Sequence, residues 1–240
     1  MVKIFKMIMI CTFGSAIMSS CLKKDDARTY IELYSVIKSS TGNTYFSSDD
    51  GINLYPSSFN PQWGKVGDRV LVGFYYNPYQ VAESTTNLNI NVERLYLVQT
   101  CDSALPFTVD TVGSGVFFHK NDNNQDGIFA WAMQNYLTVL FYVRYSDETK
   151  HTFGFIEEPE LFKHDTLFLS MWHNAKEENK TTTSRSHIAL NLANYEQLLS
   201  VKDSTVISIK YRAENLNSST ANDYIYNVKY YKKYNNKSID

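Results

Sequence analysis

Apolar and polar residues alternate with a period of two along most of this chain, and this pattern constrains the fold more than any other feature. Ile31, Leu33 and Ile37 share one parity, as in a strand with one buried face. Residues 137–143 repeat the pattern, with four apolar side chains on one parity. The 18 tyrosines and 14 phenylalanines also suit half-buried strands. The sequence therefore predicts an all-β protein.

The predicted strands fall into two groups. About five strands predict an OB-like barrel over residues 28–112, and six or seven predict an antiparallel β-sandwich over residues 127–240. Residues 113–126 are rich in glycine, asparagine and aspartate and are predicted as a linker. The Asp50-Gly51 step between two apolar runs predicts a hairpin. A short helix is predicted with Asn194 as its N-cap.

The N-terminal segment has the order of a lipoprotein signal. Lys3 and Lys6 form a basic start, and residues 7–18 are apolar but too short to span a bilayer. Two serines then precede Cys21, which resembles a lipobox, where a peptidase cuts before the cysteine and the new N-terminus receives lipid. Residues 1–20 are therefore predicted as a signal peptide and Cys21 as the lipidation site. A secretory signal cut without lipidation is the alternative.

The residues after the cysteine predict where the protein is displayed. Residues 21–27 form a lysine-containing acidic tether that resembles the tag directing some bacterial lipoproteins to the outer face of the outer membrane. An outer-membrane lipoprotein exposed at the cell surface is therefore predicted, held to the membrane by the lipid on Cys21. A purely solvated tether, with the protein on the periplasmic face, is the alternative.

Charge and cysteine content narrow the partners. The chain carries 23 basic and 25 acidic residues, and loss of Lys3 and Lys6 with the signal takes the net charge from −2 to −4. The sequence therefore lacks the excess of basic residues that is typical of nucleic-acid binding, and no nucleic-acid partner is predicted. If Cys11 leaves with the signal and Cys21 carries lipid, only Cys101 remains for the folded part. Cys101 is predicted to be a small buried hydrophobe rather than a nucleophile.

The order and spacing of several short motifs resemble the NigD-like lipoproteins of Bacteroidota. The resemblance implies an N-terminal OB-like domain and a C-terminal β-sandwich, and it supplies no catalytic residues. The family takes its name from a bacteriocin-associated gene cluster, which implies a self-protection or envelope role. Besides the lipobox, the motifs that carry the resemblance are residues 45–51 with 54–56, 67–70, 165–169, 173–174 and 186–192.

One loop pattern suggests a metal site. Asp122, Asn124, Asp126 and Gly127 match the first half of an EF-hand calcium loop. The twelfth position, which needs a bidentate glutamate, is Met133, and no helix pattern precedes the loop. A polar interdomain turn is therefore favoured over a calcium site, and neither a metal nor a cofactor is predicted.

Residues able to do acid–base chemistry are present but scattered. His173 beside Asn174 is interpreted as a satisfied histidine at a strand end. Glu157, Glu158 and Glu160 surround a proline, and neighbours in an extended segment point to opposite faces, which favours a solvated connection over a glycosidase pair. Nucleophile-elbow, Walker and Cys-x-x-Cys patterns are also missing. The protein is therefore predicted not to be an enzyme.

Four triplets of aspartate, serine or threonine, and a small or aliphatic residue resemble the short O-glycan acceptor sequon of Bacteroidota. The alternative is that aspartate followed by serine or threonine opens a strand after a turn. The predicted acceptors are Ser103, Thr111, Thr166 and Ser204.

The function predicted from these features is a non-enzymatic binding or envelope module on the outer membrane. Trp63, Trp131 and Trp172 are candidates for stacking on a glycan or a protein ligand. An immunity-type protein that blocks a bacteriocin is the first alternative, and an undetected hydrolase is the second. The sequence leaves the ligand and the oligomeric state open.

Overall fold

The computed structural model contains fifteen strands and four short helical segments in the residues that it describes. The predicted signal peptide, Cys21 and the calcium candidates Asp122, Asn124 and Asp126 lie outside those residues. None of the helices in the described part is long and apolar enough to cross a membrane. The described residues are 27–79, 81–82, 84–106, 118–120, 128–145, 152–174, 182–215 and 221–235.

Six strands form the N-terminal sheet, in the order β5-β3-β2-β1-β4-β6. The sheet is the predicted OB-like half-barrel, closed over a core that includes Ile37, Phe46 and Phe74. All of its pairings are antiparallel except the parallel pair of β3 and β5. The strands are β1 (Thr29–Ser40), β2 (Asn43–Ser48), β3 (Asn53–Pro56), β4 (Arg69–Tyr76), β5 (Asn87–Ile90) and β6 (Val92–Leu97).

The remaining nine strands form a sandwich of two layers. One layer contains β11, β12, β14 and β15, and the other contains β9, β10, β13 and β7. Short β8 joins the layers because it pairs with both β10 and β14. The strands are β7 (Gln99–Cys101), β8 (Phe118–Lys120), β9 (Ile128–Met133), β10 (Tyr136–Tyr145), β11 (Thr152–Lys163), β12 (Thr166–Asn174), β13 (Thr182–Asn191), β14 (Ser204–Asn215) and β15 (Ala221–Tyr231).

The sandwich is mainly antiparallel, as predicted, but three of its pairings are parallel. Strand β14 runs parallel to β12 because the chain crosses to the other layer through β13 before it returns. A parallel pair requires such a long connection, and strand alternation alone does not reveal it. The all-β class, with a half-barrel before a sandwich, is confirmed.

Tight turns set the register of several hairpins. Gly51 has a φ of 80° and donates its amide to the Ser48 carbonyl at 3.0 Å, so the predicted hairpin of β2 and β3 is present. Three further hairpins have two central residues with positive φ, the backbone that two-residue turns between twisted strands require. Their central residues are Thr41 with Gly42, Gln134 with Asn135, and His164 with Asp165.

The sandwich core confirms the predicted parity of β10. Leu137, Val139, Phe141 and Val143 are all buried between the layers. Strand β9, which the sequence analysis did not predict, alternates toward the same core, but two of its three buried residues are alanines. Small side chains give a weak apolar signal, so the alternation of this strand is easily missed.

The short helical segments near residue 194 begin differently from the prediction. Asn191, not Asn194, caps the turn Leu192–Tyr195, because its side-chain oxygen accepts the amide of Ala193 at 3.0 Å. Asn194 instead donates its side-chain amide to the Asp102 carbonyl at 3.0 Å. Helix α1 (Glu196–Leu199) follows directly, and the other helical segments are Pro61–Trp63 and α2 (Lys232–Asn235).

The chain leaves the first sheet well before residue 112, the expected end of the first domain. The first sheet ends at Leu97, and β7 already pairs with β13 of the sandwich. Leu105 continues along the sandwich, where its amide donates to the Phe155 carbonyl at 2.8 Å. Within the expected linker 113–126, the described part is β8, which is a strand of the sandwich.

Candidate ligand-binding surface

The outer face of β1, β4 and β6 carries a group of exposed tyrosines that we call the tyrosine patch. Strand register places Tyr30 opposite Tyr75, and it places Glu32 and Arg94 on either side of Gly73. Tyr96 lies two residues beyond Arg94 on the same face of β6. The patch is therefore Tyr30, Glu32, Tyr75, Arg94 and Tyr96.

Tyr75 and Tyr96 are the open part of the patch. These residues are 52% and 46% exposed, although both lie on strands with buried neighbours. Tyr30 is less exposed and contacts Tyr75, with ring centroids 5.2 Å apart and planes at 60°. Large aromatic side chains held in the open by a sheet are typical of interaction surfaces.

Gly73 lies at the centre of the patch and lets the Tyr30 ring lie over the sheet. A Cβ atom on Gly73 would lie only 2.1 Å from Tyr30 Oη, so no other residue fits there without moving that ring. A tyrosine covering a strand glycine also stabilises the sheet by itself, which gives Tyr30 a packing role. The Tyr30 hydroxyl donates to Glu32 Oε1 at 3.0 Å, which fixes the ring further.

The charges around Tyr30 confirm that the patch is one cluster. Burial, together with the hydrogen bond to Glu32, raises the pKa of Tyr30 to about 12. The positive charge of Arg94 opposes this rise, and the Tyr96 hydroxyl adds to it. Tyr30, Glu32, Arg94 and Tyr96 therefore lie close enough to act on one another electrostatically.

The patch ends where the two domains meet. Val36, Val98, Tyr136 and Ala189 are buried against one another at this domain interface, with Tyr34 packed beside them. The same outer face of β1 and β4 that carries the patch thus continues beneath the sandwich. The second domain covers one end of the face and leaves the patch open.

A buried ion pair lies at the centre of the domain interface. Arg69 is 1% exposed, and its guanidinium donates to both carboxylate oxygens of Asp49, with a distance of 2.7 Å from Nη1 to Oδ1. Arg69 also donates to Thr138 Oγ1 of the second domain at 3.0 Å. Trp131 Nε1 donates to Asp49 Oδ2 at 2.6 Å. The sandwich therefore supplies one hydrogen-bond partner to each charged group of the pair.

Aromatic rings and further hydrogen bonds close the interface around the ion pair. The Arg69 guanidinium carbon lies 5.7 Å from the ring centroids of both Tyr34 and Tyr136. Tyr136 Oη donates to the Gly67 carbonyl at 2.6 Å, and Gln134 Nε2 donates to the Ser47 carbonyl at 2.6 Å. These contacts orient the half-barrel, and with it the tyrosine patch, against the sandwich.

The interface is expected to weaken in acid because of His187. Burial lowers the pKa of His187 below 6.5, Arg185 lowers it further, and Glu32 opposes the shift. The Tyr34 ring packs edge-on against His187 at 5.8 Å. Because of this lowered pKa, His187 binds a proton at higher pH in the unfolded chain than in the folded protein. The free energy of unfolding should therefore fall as the pH drops below about 6.5, and His187 should not change it at higher pH.

Urea unfolding at pH 7.5, 6.5 and 5.5 checks this expectation. The His187→Gln variant should lose less stability between pH 6.5 and pH 5.5 than the wild-type protein does. His164→Asn, at an exposed turn position that tolerates asparagine, is the matched control and should follow the wild type. Equal acid dependence in the wild type and His187→Gln would refute the assignment.

The tryptophans predicted as stacking residues are all half-buried and lie apart from one another. Trp63 packs over the half-barrel core, with its ring centroid 5.6 Å from that of Phe59. Trp131 belongs to the domain interface through its bond to Asp49. Trp172 lies against Gly154 on the sandwich. Most of the exposed rings among the described residues are instead tyrosines. In the sequence Tyr96 shares the parity of Leu88 and Val92, but the irregular pairing of β4 and β6 places it on the outer face.

The three glutamates face different partners and do not form a pair. Glu157 accepts a hydrogen bond from Tyr195 Oη at 2.9 Å, and Glu158 accepts one from the Ser170 hydroxyl. Glu160 is paired with Lys163 at 2.9 Å on the surface. A β-bulge between residues 157 and 162 accommodates the intervening proline.

A shallow depression of about 320 Å³ lies beside this bulge. Its lining includes Glu158, Glu160 and Lys210, and each of these charges already has a protein partner: Ser170, Lys163 and, at 3.9 Å, Asp223. A depression whose charged groups are already occupied by the protein is a weaker candidate for a ligand site than the tyrosine patch.

Other predicted residues occupy ordinary structural positions. His173 is buried at the end of β12 and stacks on Phe153 at 4.4 Å, while the side chain of Asn174 is outside the described part. Cys101 is half-buried against the sandwich core, and burial raises the pKa of its thiol. Among the described residues, no group of three or more histidines, cysteines or acidic residues could hold a metal ion.

The predicted O-glycan acceptors lie at strand ends or turns where they are described. Ser103 and Ser204 are exposed, and Thr166 is half-buried at the first position of β12. Thr111 lies outside the described residues. Modification at these four positions stays a prediction.

A half-barrel joined to a β-sandwich through a buried interface defines a class of two-domain all-β proteins. Residues 120–235 match the family described as "NigD-like C-terminal beta sandwich domain". The C-terminal part of this chain is therefore similar to the NigD-like β-sandwich domain, and the resemblance predicted from the sequence motifs is confirmed.

Solved structures share the fold over both domains. A "NigD-like immunity protein" from Bacteroides caccae is 16% identical, covers 82% of this chain and 96% of its own, and has a TM-score of 0.56. A "Putative lipoprotein" from Bacteroides fragilis is 14% identical, covers 84% and 98%, and has a TM-score of 0.59. A "Putative TOXIN related protein" from Parabacteroides distasonis is 20% identical, covers 85% and 94%, and has a TM-score of 0.58. No curated protein sequence matches the chain significantly.

Proposed function

We propose that this protein is a lipid-anchored, non-enzymatic binding module of the cell envelope that holds its ligand on the tyrosine patch. The observation that carries the proposal is the exposure of Tyr75 and Tyr96 on strands that are otherwise well packed. Binding to these rings costs little conformational entropy, because the sheet already orients them. The buried contacts of Arg69 hold the domain interface beside the patch in one arrangement.

The lipid anchor is supported by the lipobox-like order before Cys21 and by the lipoprotein description of one solved structure with this fold. We expect the wild-type protein to fractionate with membranes and a Cys21→Ala variant to be released or mislocalised. Mass spectrometry of the mature N-terminus should find lipid on Cys21. Membrane release of the wild type, or an unmodified Cys21, would contradict the anchor.

Proteinase shaving of intact cells separates the two possible orientations. Digestion of the wild-type protein in intact cells supports display at the surface. Protection in intact cells, with digestion after the outer membrane is opened, places the module in the periplasm and contradicts surface display.

Binding through the patch is tested with the folded chain in soluble form, carrying Cys21→Ala. We expect it to be retained on isolated cell envelopes of the producing bacterium. A Tyr75→Ala/Tyr96→Ala variant should be retained at least about tenfold less, because central aromatic side chains dominate most interfaces. Tyr142→Ala, which removes a similarly exposed ring from the sandwich, is the matched control. Equal retention of the patch variant and the wild type would refute the proposed site.

A second candidate function is immunity against a bacteriocin. It is favoured by the solved structures described as a "NigD-like immunity protein" and a "Putative TOXIN related protein". Cells that express the wild-type chain would then survive a bacteriocin encoded beside its gene, and cells that express the Tyr75→Ala/Tyr96→Ala variant would not. Equal survival with and without the protein would exclude this role.

A further inference from the structure

We propose that the tyrosine patch takes an acidic polysaccharide, a glycan chain that carries carboxylate or sulfate groups. This inference rests on the proposed binding function of the patch and specifies the chemistry of its ligand. It follows from two properties of the patch: the arrangement of its rings and the unmatched charge of Arg94.

The rings are arranged to accept a chain of flat units. Tyr30 and Tyr75 lie opposite each other on β1 and β4, and Tyr96 lies two strands from Tyr30 and four residues further along, so the three rings spread over about 16 Å. The Tyr30 and Tyr75 planes are tilted by 60°, so the two rings do not cover each other's faces. Each ring offers an apolar face beside a hydroxyl, which complements a sugar ring with its apolar C–H face and hydroxyl edge.

The centre of the patch lacks a side chain. Gly73 separates Glu32 on β1 from Arg94 on β6, and the Tyr30 ring leans into the space above it. The ring of Tyr30 therefore covers the centre of the patch, with polar groups on both sides. A ring flanked by polar groups suits a polar chain better than a flat apolar partner surface.

The charges of the patch leave one cation unmatched. Glu32 accepts a hydrogen bond from Tyr30 and lies 3.9 Å from Arg185 of the sandwich. Arg94 is exposed and forms neither an ion pair nor a hydrogen bond with any residue that the structure describes. A guanidinium in this position can bind a carboxylate or sulfate with two parallel hydrogen bonds. Charge complementarity therefore favours an anionic glycan over a neutral one.

The Tyr34 hydroxyl lies beneath the sandwich, beside the patch. Tyr34 Oη is buried without a hydrogen-bond partner among the described residues. Strand register places Tyr34 and Tyr96 on either side of Leu71. These three residues lie on the same face as Gly73, two residues further along the strands. A water molecule enclosed in the domain interface would satisfy the Tyr34 hydroxyl.

The test uses envelope polysaccharide of the producing bacterium, digested with proteinase K and separated on an anion exchanger into acidic and neutral fractions. The folded chain carrying Cys21→Ala should bind the immobilised acidic fraction and not the neutral one. Arg94→Gln should weaken this binding by about 10- to 100-fold, the loss typical of a charge-assisted hydrogen bond. Tyr75→Ala/Tyr96→Ala should weaken it as well, and Arg212→Gln on β14 is the matched control. Circular dichroism should show the same thermal midpoint for every variant, since all of these side chains are exposed.

The outcomes separate this inference from the function on which it rests. Preference for the neutral fraction, or equal binding by Arg94→Gln and the wild type, would overturn the acidic-glycan assignment. If retention on whole envelopes depends on the patch but disappears after proteinase digestion, the ligand is a protein and only the glycan inference fails. If the patch variants are retained on whole envelopes as well as the wild type, both proposals fail.

Discussion

Replacing Arg69 by alanine is expected to destabilise the folded protein by about 3–5 kcal/mol, because it leaves the carboxylate of Asp49 largely buried without its cation. The Asp49 side chain is only 13% exposed, so water cannot replace the guanidinium fully. Thr138 loses its hydrogen bond from Arg69 at the same time, and the rings of Tyr34 and Tyr136 lose the group between them. The domain interface should therefore weaken more than either domain core.

Urea unfolding followed by tryptophan fluorescence and far-ultraviolet circular dichroism checks both parts of this expectation. The wild type should unfold in one transition by both probes, and Arg69→Ala should show a lower midpoint or two separate transitions. Lys163→Ala is the matched control, because it removes an ion pair whose side chains are 50% and 65% exposed and should cost at most about 1 kcal/mol. A loss from Arg69→Ala no larger than that of the control would contradict the role of the buried pair.

A double-variant cycle separates the ion pair from lost packing. Arg69→Met keeps much of the side-chain volume, and Asp49→Asn removes the negative charge that Arg69 neutralises while keeping an oxygen for Trp131. The double variant should be more stable than the sum of the two single losses predicts, since neither charge is then buried alone. Strictly additive losses would show that the charges act independently.

Phe141→Ala should cost about 3–5 kcal/mol of unfolding free energy. Phe141 is fully buried between the two layers of the sandwich and contacts Phe153, with ring centroids 4.8 Å apart. Removal of its ring leaves a cavity that the rigid strands on both sides cannot fill by collapse.

Thermal or urea unfolding measures this loss. Phe129→Ala is the matched control, because Phe129 lies on neighbouring β9 but is 43% exposed on the outer face. It should cost less than about 1 kcal/mol, since its replacement creates no buried cavity. Similar losses for the two variants would mean that the sandwich core is not arranged around Phe141.

The pattern of apolar residues predicted the strands because the period of a strand is a local property. The parity of Ile31 and Leu33, and that of the apolar residues of β10, coincides with the cores in the structure. The apolar alternation of residues 87–98 is typical of one continuous strand, but these residues form β5 and β6, which pair with β3 and β4 respectively. An apolar pattern does not show which neighbour a strand pairs with, so this division was not visible in the sequence.

The candidate surface was only partly visible in the sequence. Tyrosines on the outer parity of β1 were apparent, but the same parity holds Tyr30, which belongs to the patch, and Tyr34, which lies under the sandwich. The three tryptophans predicted as stacking residues are each half-buried by tertiary packing, which the sequence did not show. Exposure depends on which element covers a face, and strand alternation carries no information about that.

The amino-acid sequence was enough to predict the all-β class, the hairpin at Gly51, most strand positions and the resemblance to NigD-like proteins, because these depend on neighbouring residues or on short motifs. The tertiary fold sets the parallel pairings of the sandwich, the contacts of Arg69 and Asp49 with Thr138 and Trp131, and the exposure of Tyr75 and Tyr96. These features join residues that are far apart in the chain, and their energies come from desolvation and packing across an interface that forms only when both domains have folded.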